Sequence, residues 1–139
     1  MSDQHIMSAL QSRLALFASS KGLSVAFEGV PFTPDATKTH LADFLLPAAT
    51  DNPSMGRGHR RYEGTYQVDV IAPSNSNVVA LRGLANDLAA HFPRGLALTH
   101  AASGTKVLII RTPSISPLIP DGGRMKRAVS IRYQTDLIT

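Results

Sequence analysis

The chain has 139 residues and a mass of 14.9 kDa, a length typical of a single domain, here 1–139, with one hydrophobic core. It contains no cysteine, which excludes a disulfide scaffold, thiolate metal ligands, iron–sulfur ligation and a cysteine nucleophile. Hydrophobic residues make up 43% and charged residues 17%. We therefore expect a globular protein whose charge-poor surface is partly buried against other copies or partners.

The net charge of +4 is too small to indicate a dedicated nucleic-acid binder, but it is unevenly distributed. Residues 1–50 hold three basic and four acidic side chains, whereas residues 51–139 hold eleven basic and six acidic ones. No apolar run approaches the roughly 18 residues of a membrane span, and Asp3 and Gln4 stand where a signal peptide would be basic. We expect a soluble protein that is not exported and has no membrane contact.

The first half of the chain predicts one helix and two strands. An apolar stripe with a spacing of three or four residues predicts a helix from about Ser2 to Lys21, which Gly22 ends as a left-handed cap. A short strand is expected over Ser24 to Phe27. The segment His40 to Leu46 fits a strand or a helical turn, and we prefer the strand. The stripe of the helix consists of Ile6, Leu10, Leu14 and Phe17.

The middle of the chain gives the clearest patterns. Polar and apolar residues alternate from Arg60 to Ala72, which predicts a long strand exposed on one face. Pro73 ends it, and the Ser-Asn-Ser-Asn run at 74–77 supplies capping residues for a second helix. The apolar stripe of that helix consists of Val78, Leu81, Leu84, Leu88 and Phe92.

The last third of the chain predicts three more strands. Leu96 to Thr99 and Lys106 to Arg111 are expected to form a hairpin that turns at Ser103 and Gly104. Prolines at 113, 117 and 120, followed by two glycines, predict a stiff loop. The segment Arg124 to Thr135 then alternates as a final strand, with Val129, Ile131 and Tyr133 on its apolar face.

The order of elements is α-β-β-β-α-β-β-β, which indicates the α+β class. Because each helix carries a single apolar stripe, we expect a single mostly antiparallel β-sheet with two helices packed on one face. The other face of the sheet is expected to be partly polar. The expected core consists of Leu10, Leu14, Phe17, Tyr66, Val68, Val70, Leu81, Leu84, Leu88 and Ile131.

The sequence offers no pattern typical of an enzyme. The five histidines, at positions 5, 40, 59, 91 and 100, lack metal-ligand spacing, so we interpret them as surface residues, with His91 favoured as a cation at a helix end. A Ser-His-Asp triad stays open on composition alone, but no Gly-x-Ser-x-Gly elbow or phosphate-binding glycine loop occurs. We expect no catalytic residues, no cofactor and no metal site.

Two basic clusters are the candidate interaction sites. The first cluster ends a loop at about 47–59, which is long enough to predict a mobile arm, and consists of Arg57, His59, Arg60 and Arg61. The second cluster begins the last strand and consists of Arg124, Lys126 and Arg127. Glu63 and Asp69, on the polar face of the long strand, offer partners of opposite charge. The candidate subunit or partner contacts are therefore Arg57, His59, Arg60, Arg61, Glu63, Asp69, Arg124, Lys126 and Arg127.

Four segments carry a resemblance to a known family: YEGTYQVDV at 62–70, AAHFPRG at 89–95, RTPS at 111–114 and VSIRY at 129–133. In these segments, and over nearly its whole length, the chain resembles the tail terminator proteins of long-tailed bacteriophages and prophages. The resemblance includes the helical N-terminus, the GVPFTP stretch at 29–34 and the long loop before residue 62. No single motif among these is a chemical fingerprint.

The resemblance implies a virion structural protein that caps the tail tube as a hexameric ring, stops tube polymerisation and joins the tail to the head. Its implied partners are other copies of itself, the tail tube protein and a head-completion or neck protein, with incidental contact to passing DNA. The implied location is the virion, and the host cytoplasm during assembly. The alternatives are another neck or head-tail completion protein and a small basic nucleic-acid-binding module.

Overall fold

A computed structural model of the chain describes residues 2–33, 38–48, 50, 58–74, 77–121 and 123–138. Two helices and eight strands follow one another along these residues. Most of the expected loop at 47–59 lies outside the described residues, so its predicted mobility stays a prediction. The elements are α1 (Ser2–Lys21), β1 (Ser24–Ala26), β2 (His40–Pro47), β3 (His59–Pro73), α2 (Val78–His91), β4 (Ala97–Thr99), β5 (Lys106–Ile109), β6 (Ser114–Ile115), β7 (Ile119–Asp121) and β8 (Arg124–Ile138).

The strands form one sheet in the order β1-β2-β3-β8-β5-β4. All neighbours are antiparallel except β1 and β2, which run parallel. The α+β class and the mostly antiparallel sheet are therefore confirmed. The proline-rich segment predicted as a loop differs, because it contains β6 and β7, which both pair with β8. Both are two or three residues long, as expected where proline cannot donate to a ladder.

Both helices pack on one face of the sheet, as predicted. Val68 and Val70 of β3 and Val129 and Ile131 of β8 lie on this face, fully buried in one cluster with side chains from α1 and α2. Every expected core residue is buried except Leu84, which is only partly buried. The face of α2 that meets the sheet is instead carried by Leu81, Ala85 and Leu88.

The C-terminal end of α1 and the N-terminal end of α2 follow the predicted capping chemistry. Gly22 has a φ of +67°, the left-handed conformation that a glycine adopts without a Cβ clash. Asn77 is the N-cap of α2, and its side-chain oxygen accepts from the backbone N–H groups of Val79 at 2.9 Å and Ala80 at 3.3 Å. A glycine thus sets where α1 ends, and an asparagine sets where α2 begins.

Gly64 lies in the middle of three paired strands, β2, β3 and β8, where the chain leaves no room for a side chain. It pairs with Pro47 of β2 on one side and Tyr133 of β8 on the other. A Cβ at this position would lie 2.6 Å from the carbonyl oxygen of Leu46 and 2.7 Å from the hydroxyl oxygen of Tyr133. The Tyr133 hydroxyl group and the backbone of β2 therefore occupy space that only a glycine leaves open.

Leu88→Ala is expected to lower the free energy of unfolding by about 2–5 kcal/mol, because the Leu88 side chain is fully buried. Leu84→Ala should cost less, since part of that side chain is already in water. Urea unfolding of the two variants measures the difference. Equal losses would contradict the burial of α2 described above.

Gly64→Ala should destabilise the protein by about 1–3 kcal/mol, the usual cost of forcing an extra methyl group into a filled site. The matched control is Gly83→Ala, because a Cβ on Gly83, inside α2, meets no atom within 4 Å. That variant should gain up to about 1 kcal/mol from helix propensity. Thermal unfolding of both proteins gives the two signs, and a stable Gly64→Ala protein would contradict the close approach.

Candidate interaction surfaces

The two basic clusters lie at opposite ends of the β3–β8 pair. Arg60 pairs with Leu137 at one end of this ribbon, and Arg124 pairs with Pro73 at the other. At about 3.3 Å per residue the clusters are roughly 40 Å apart along the strands. They are therefore two separate surfaces, and a small ligand cannot contact both.

The first cluster keeps exposed charge. Arg60 is exposed, and Arg61 forms a salt bridge to Asp136 across the β3–β8 pair, with Nε 2.9 Å from Oδ1. Both side chains of this pair are about one-third exposed, so the pair adds little to stability. Glu63 is half-buried beside them. Arg57 and the side chain of His59 lie outside the described residues.

The second cluster is largely used inside the subunit. Arg127 is buried, and its Nε donates to the carbonyl oxygen of Ser116 at 2.9 Å. Arg124 lies with Nη1 3.5 Å from Nδ1 of the buried His40. Lys126 is half-buried on the open face of the sheet. Arg127 thus holds the β6 segment against β8, which leaves it poorly placed for contact with another molecule.

Asp69 also has an internal role. Its side chain is buried, although the strand pattern places it on the face away from the helices, and its Oδ1 accepts from Nε2 of Gln67 at 2.9 Å. The residues paired with it are Ala42 and Ala128. Of the two acidic candidates on β3, only Glu63 remains partly accessible.

The open face of the sheet carries apolar side chains that the sequence reading did not single out. The register places Phe44 and Leu46 of β2, Leu108 of β5 and Ile119 of β7 on the face opposite the helices. Each of these side chains is more than one-third exposed. The signal was present in β2, where Phe44, Leu45 and Leu46 break the polar–apolar alternation of a strand that faces water on one side.

A buried polar cluster ties α1 to the sheet. The carboxyl group of Asp43 is fully buried and accepts three hydrogen bonds. The donors are the Tyr66 hydroxyl at 2.5 Å, the backbone N–H of Glu28 at 2.7 Å and Nε2 of Gln11 at 3.0 Å. Burial, together with the hydrogen bond to Asp43, raises the pKa of Tyr66 far above its ordinary value. Side chains or backbone from α1, the turn after β1, β2 and β3 thus meet at one carboxyl group.

Asp43→Ala is expected to lower the free energy of unfolding by more than about 2 kcal/mol, because it leaves several buried donors without an acceptor. Tyr66→Phe should cost less, since Asp43 keeps its other two donors. Chemical unfolding of both variants at pH 7 ranks the two losses. The prediction fails if Tyr66→Phe proves the more damaging change.

The raised pKa of Tyr66 also sets a pH dependence. Because the folded state favours the neutral phenol, its contribution to stability is complete below the ordinary pKa of 10.0 and is lost as the pH rises above it. Other groups titrate in the same range, so the measurement is the difference between wild type and Tyr66→Phe. That difference should shrink between pH 9 and pH 11.

The histidines are less exposed than the sequence suggested. His40 is buried and His91 is half-buried, so the expectation of surface histidines is wrong for both. Nε2 of His91 donates to the carbonyl oxygen of Arg13, whose guanidinium donates to the carbonyl oxygen of His91 at 2.9 and 3.0 Å. Burial lowers the pKa of His91, although the hydrogen bond to the Arg13 carbonyl oxygen favours its charged form. This reciprocal contact joins α1 to α2.

The described residues bring together no catalytic arrangement. Nδ1 of His100 lies 2.7 Å from Oγ of Ser103, but the pair sits on the β4–β5 turn, and the ring stacks on His5 rather than meeting a carboxyl group. In the part of the chain that the structure describes, no group of three or more acidic, histidine or cysteine side chains could hold a metal ion. No described helix is both long and apolar enough to cross a membrane.

The comparisons agree with the resemblance read from the sequence. A family model described as phage tail terminator protein matches residues 5–133. One solved structure that carries no functional name superposes with a TM-score of 0.82 at 27% identity, over 100% of this chain and 99% of that chain. A chain from the virion of a native gene transfer agent particle has the same fold, with a TM-score of 0.62 at 17% identity and 94% coverage of both chains. No curated protein matches the sequence.

Proposed function

The chain belongs to the phage tail terminator family, and we propose that it closes the end of a tail tube as a six-membered ring, stops tube polymerisation there and presents a surface for joining to the head. The observation that carries this proposal is the family match over residues 5–133, nearly the whole chain. The fold shared with a chain of a gene transfer agent virion supports a place in a particle of the same kind. The protein would reach the virion from the host cytoplasm.

The shape of the subunit is compatible with a closed ring. A cyclic ring is built from heterologous contacts, in which one surface of each subunit meets a different surface of the next. The two edges of the sheet are dissimilar. Its open face carries the exposed side chains of Phe44, Leu46 and Leu108, and burying them against another subunit would stabilise an assembly. A charge-poor surface of this kind suits lasting contact with other virion proteins.

The exposed charges of the first basic cluster are proposed to contact a neighbouring subunit or the tube. Arg60 is exposed, and Arg61 and Glu63 lie at the same end of β3, where Arg57 and His59 also belong in sequence. Arginine suits such contacts because its guanidinium donates in a fork that matches a carboxyl group. At the other end of the ribbon, Arg124 and Lys126 are the accessible candidates, with Arg127 and Asp69 held inside the subunit. The rival arrangement turns the first cluster towards passing DNA.

The capping function is tested by adding purified protein to polymerising tail tube protein. Tube lengths measured by electron microscopy should stop increasing once the protein is present, and six-fold rings should be visible at one tube end. Light scattering after size exclusion gives the number of subunits, alone and with tube protein. If the tubes keep growing while the protein is found at another position in the particle, the protein is instead a different neck or head-tail completion protein.

Replacing Arg60 and Arg61 together with Ala should reduce the yield of tails joined to heads by tenfold or more, since each interfacial arginine is worth about 2 kcal/mol or more. The matched control is Arg82→Ala with Arg94→Ala, which removes two exposed arginines outside the β3–β8 ribbon. Electron microscopy of particles counts joined and free tails. Normal joining with altered DNA ejection alone would favour the DNA-facing arrangement.

A further inference from the structure

The sheet ends in two short strands of the same length. β1 forms one edge and β4 forms the other, and each has three residues. An open edge presents backbone groups that can pair with another strand. A heterologous ring needs two different complementary surfaces on each subunit, and the two edges are such a pair.

The outer side of β4 is available for pairing. The backbone of Leu96 and His100 bonds to the β5 side, since Ile109 N–H donates to Leu96 oxygen at 2.9 Å and His100 N–H donates to Thr105 oxygen at 2.8 Å. Because successive residues of a strand direct their N–H and C=O groups to opposite sides, those of Ala97 and Thr99 point away from β5. Both residues are exposed.

A groove runs beside this edge, between β4 and α1. Its volume is about 520 Å³, and its apolar lining includes Ala9, Leu16 and Leu98. Leu16 is 64% exposed, which is unusual for a leucine on a helix that otherwise packs its apolar stripe inward. Arg13 is the charged residue in the lining, and no carboxyl group is among the described lining residues.

We propose that β4 of one subunit pairs with β1 of the next subunit, so that the sheet continues around the ring. Following the pairings through the sheet shows that β1 and β4 run in the same direction. Cyclic symmetry keeps the helices of all subunits on the same side of a continuous sheet, so the new pairing is parallel. The inference rests on the ring proposed above and specifies its contact.

The apolar pattern fixes which residues share a face in this pairing. Leu98 pairs with the buried Val107, and Val25 pairs with the buried Leu41, so both belong to the helix side of the sheet. Placing Leu98 beside Val25 of the next subunit directs that valine into the groove next to Leu16. Glu28 follows β1 by two residues, and its exposed carboxyl group accepts from the Leu45 N–H at 3.1 Å through one oxygen. Its negative charge is opposite to that of Arg13 in the groove, whose guanidinium is bound to the neutral carbonyl oxygen of His91.

Engineered cysteines test the contact directly, because the chain has no cysteine of its own. Rings carrying both Thr99→Cys and Ala26→Cys should cross-link on oxidation or with a short thiol linker into a ladder of up to six subunits. A mixture of the two single variants should give covalent dimers and nothing larger, since each junction joins one edge of each kind. Either single variant alone should give no cross-link.

Proline and polarity variants supply the second test. Thr99→Pro removes an outward N–H, and we expect about tenfold more protein to be needed for half-maximal tube capping, with the melting temperature of the subunit unchanged. Thr99→Ala is its control. Leu16→Gln should weaken capping in the same way, whereas Val79→Gln, which alters a still more exposed apolar side chain on α2, should not.

The outcomes separate this contact from the ring itself. Wild-type rings that cap tubes while the double-cysteine variant stays uncross-linked and Thr99→Pro caps normally would overturn the edge pairing and leave the capping function standing. A wild-type protein that forms no ring on the tube would overturn both. Cross-linked dimers from either single variant would indicate a two-fold contact and also contradict the proposal.

Discussion

The pairing of β3 with β8 is the constraint on which the rest of the molecule depends. The two strands stay in register over 15 residues, from His59 with Ile138 to Pro73 with Arg124. Every other strand except the edge strands attaches directly to one of them: β2 to β3, and β5, β6 and β7 to β8. Because side chains alternate between faces, this one register decides which residues meet the helices and which face outward. A slip of β3 by one residue would put Asp69 in the place of Val68, opposite Val129 on the helix side.

Much of the fold followed from periodicity alone. The alternation in β3 and β8, the stripe of α1, the Asn77 cap and the Gly22 stop are local patterns with local causes, and each is confirmed. The β6 and β7 strands were missed because their pairing partner lies in β8, and nothing within a short proline-rich segment reports a distant partner. Leu84 belongs to the apolar stripe of α2 and was therefore expected in the core. It is only partly buried, because a stripe in the sequence does not show how far the sheet extends beneath the helix.

The candidate surface was harder to predict, since burial depends on residues far away in sequence. Asp69 has the strand position of a surface charge and Arg127 belongs to a basic cluster, but Gln67 and Ser116 hold them inside the subunit. Asp43 gave no sign of its role, because its donors come from α1, from the turn after β1 and from β3. The exposed ends of the ribbon could be predicted, and the edges of the sheet could not, because strand order is absent from the linear sequence.

The order of the strands has a consequence for synthesis. The partner of β3 in the middle of the sheet is β8, which leaves the ribosome more than 50 residues later. Until then β2 and β3 can pair, but the other edge of β3, where Val68 and Val70 would meet β8, stays unpaired. Long-range pairing of this kind slows folding, and uncovered strand edges promote association with other chains. The nascent chain is therefore expected to be most prone to aggregation between the completion of β3 and the release of β8.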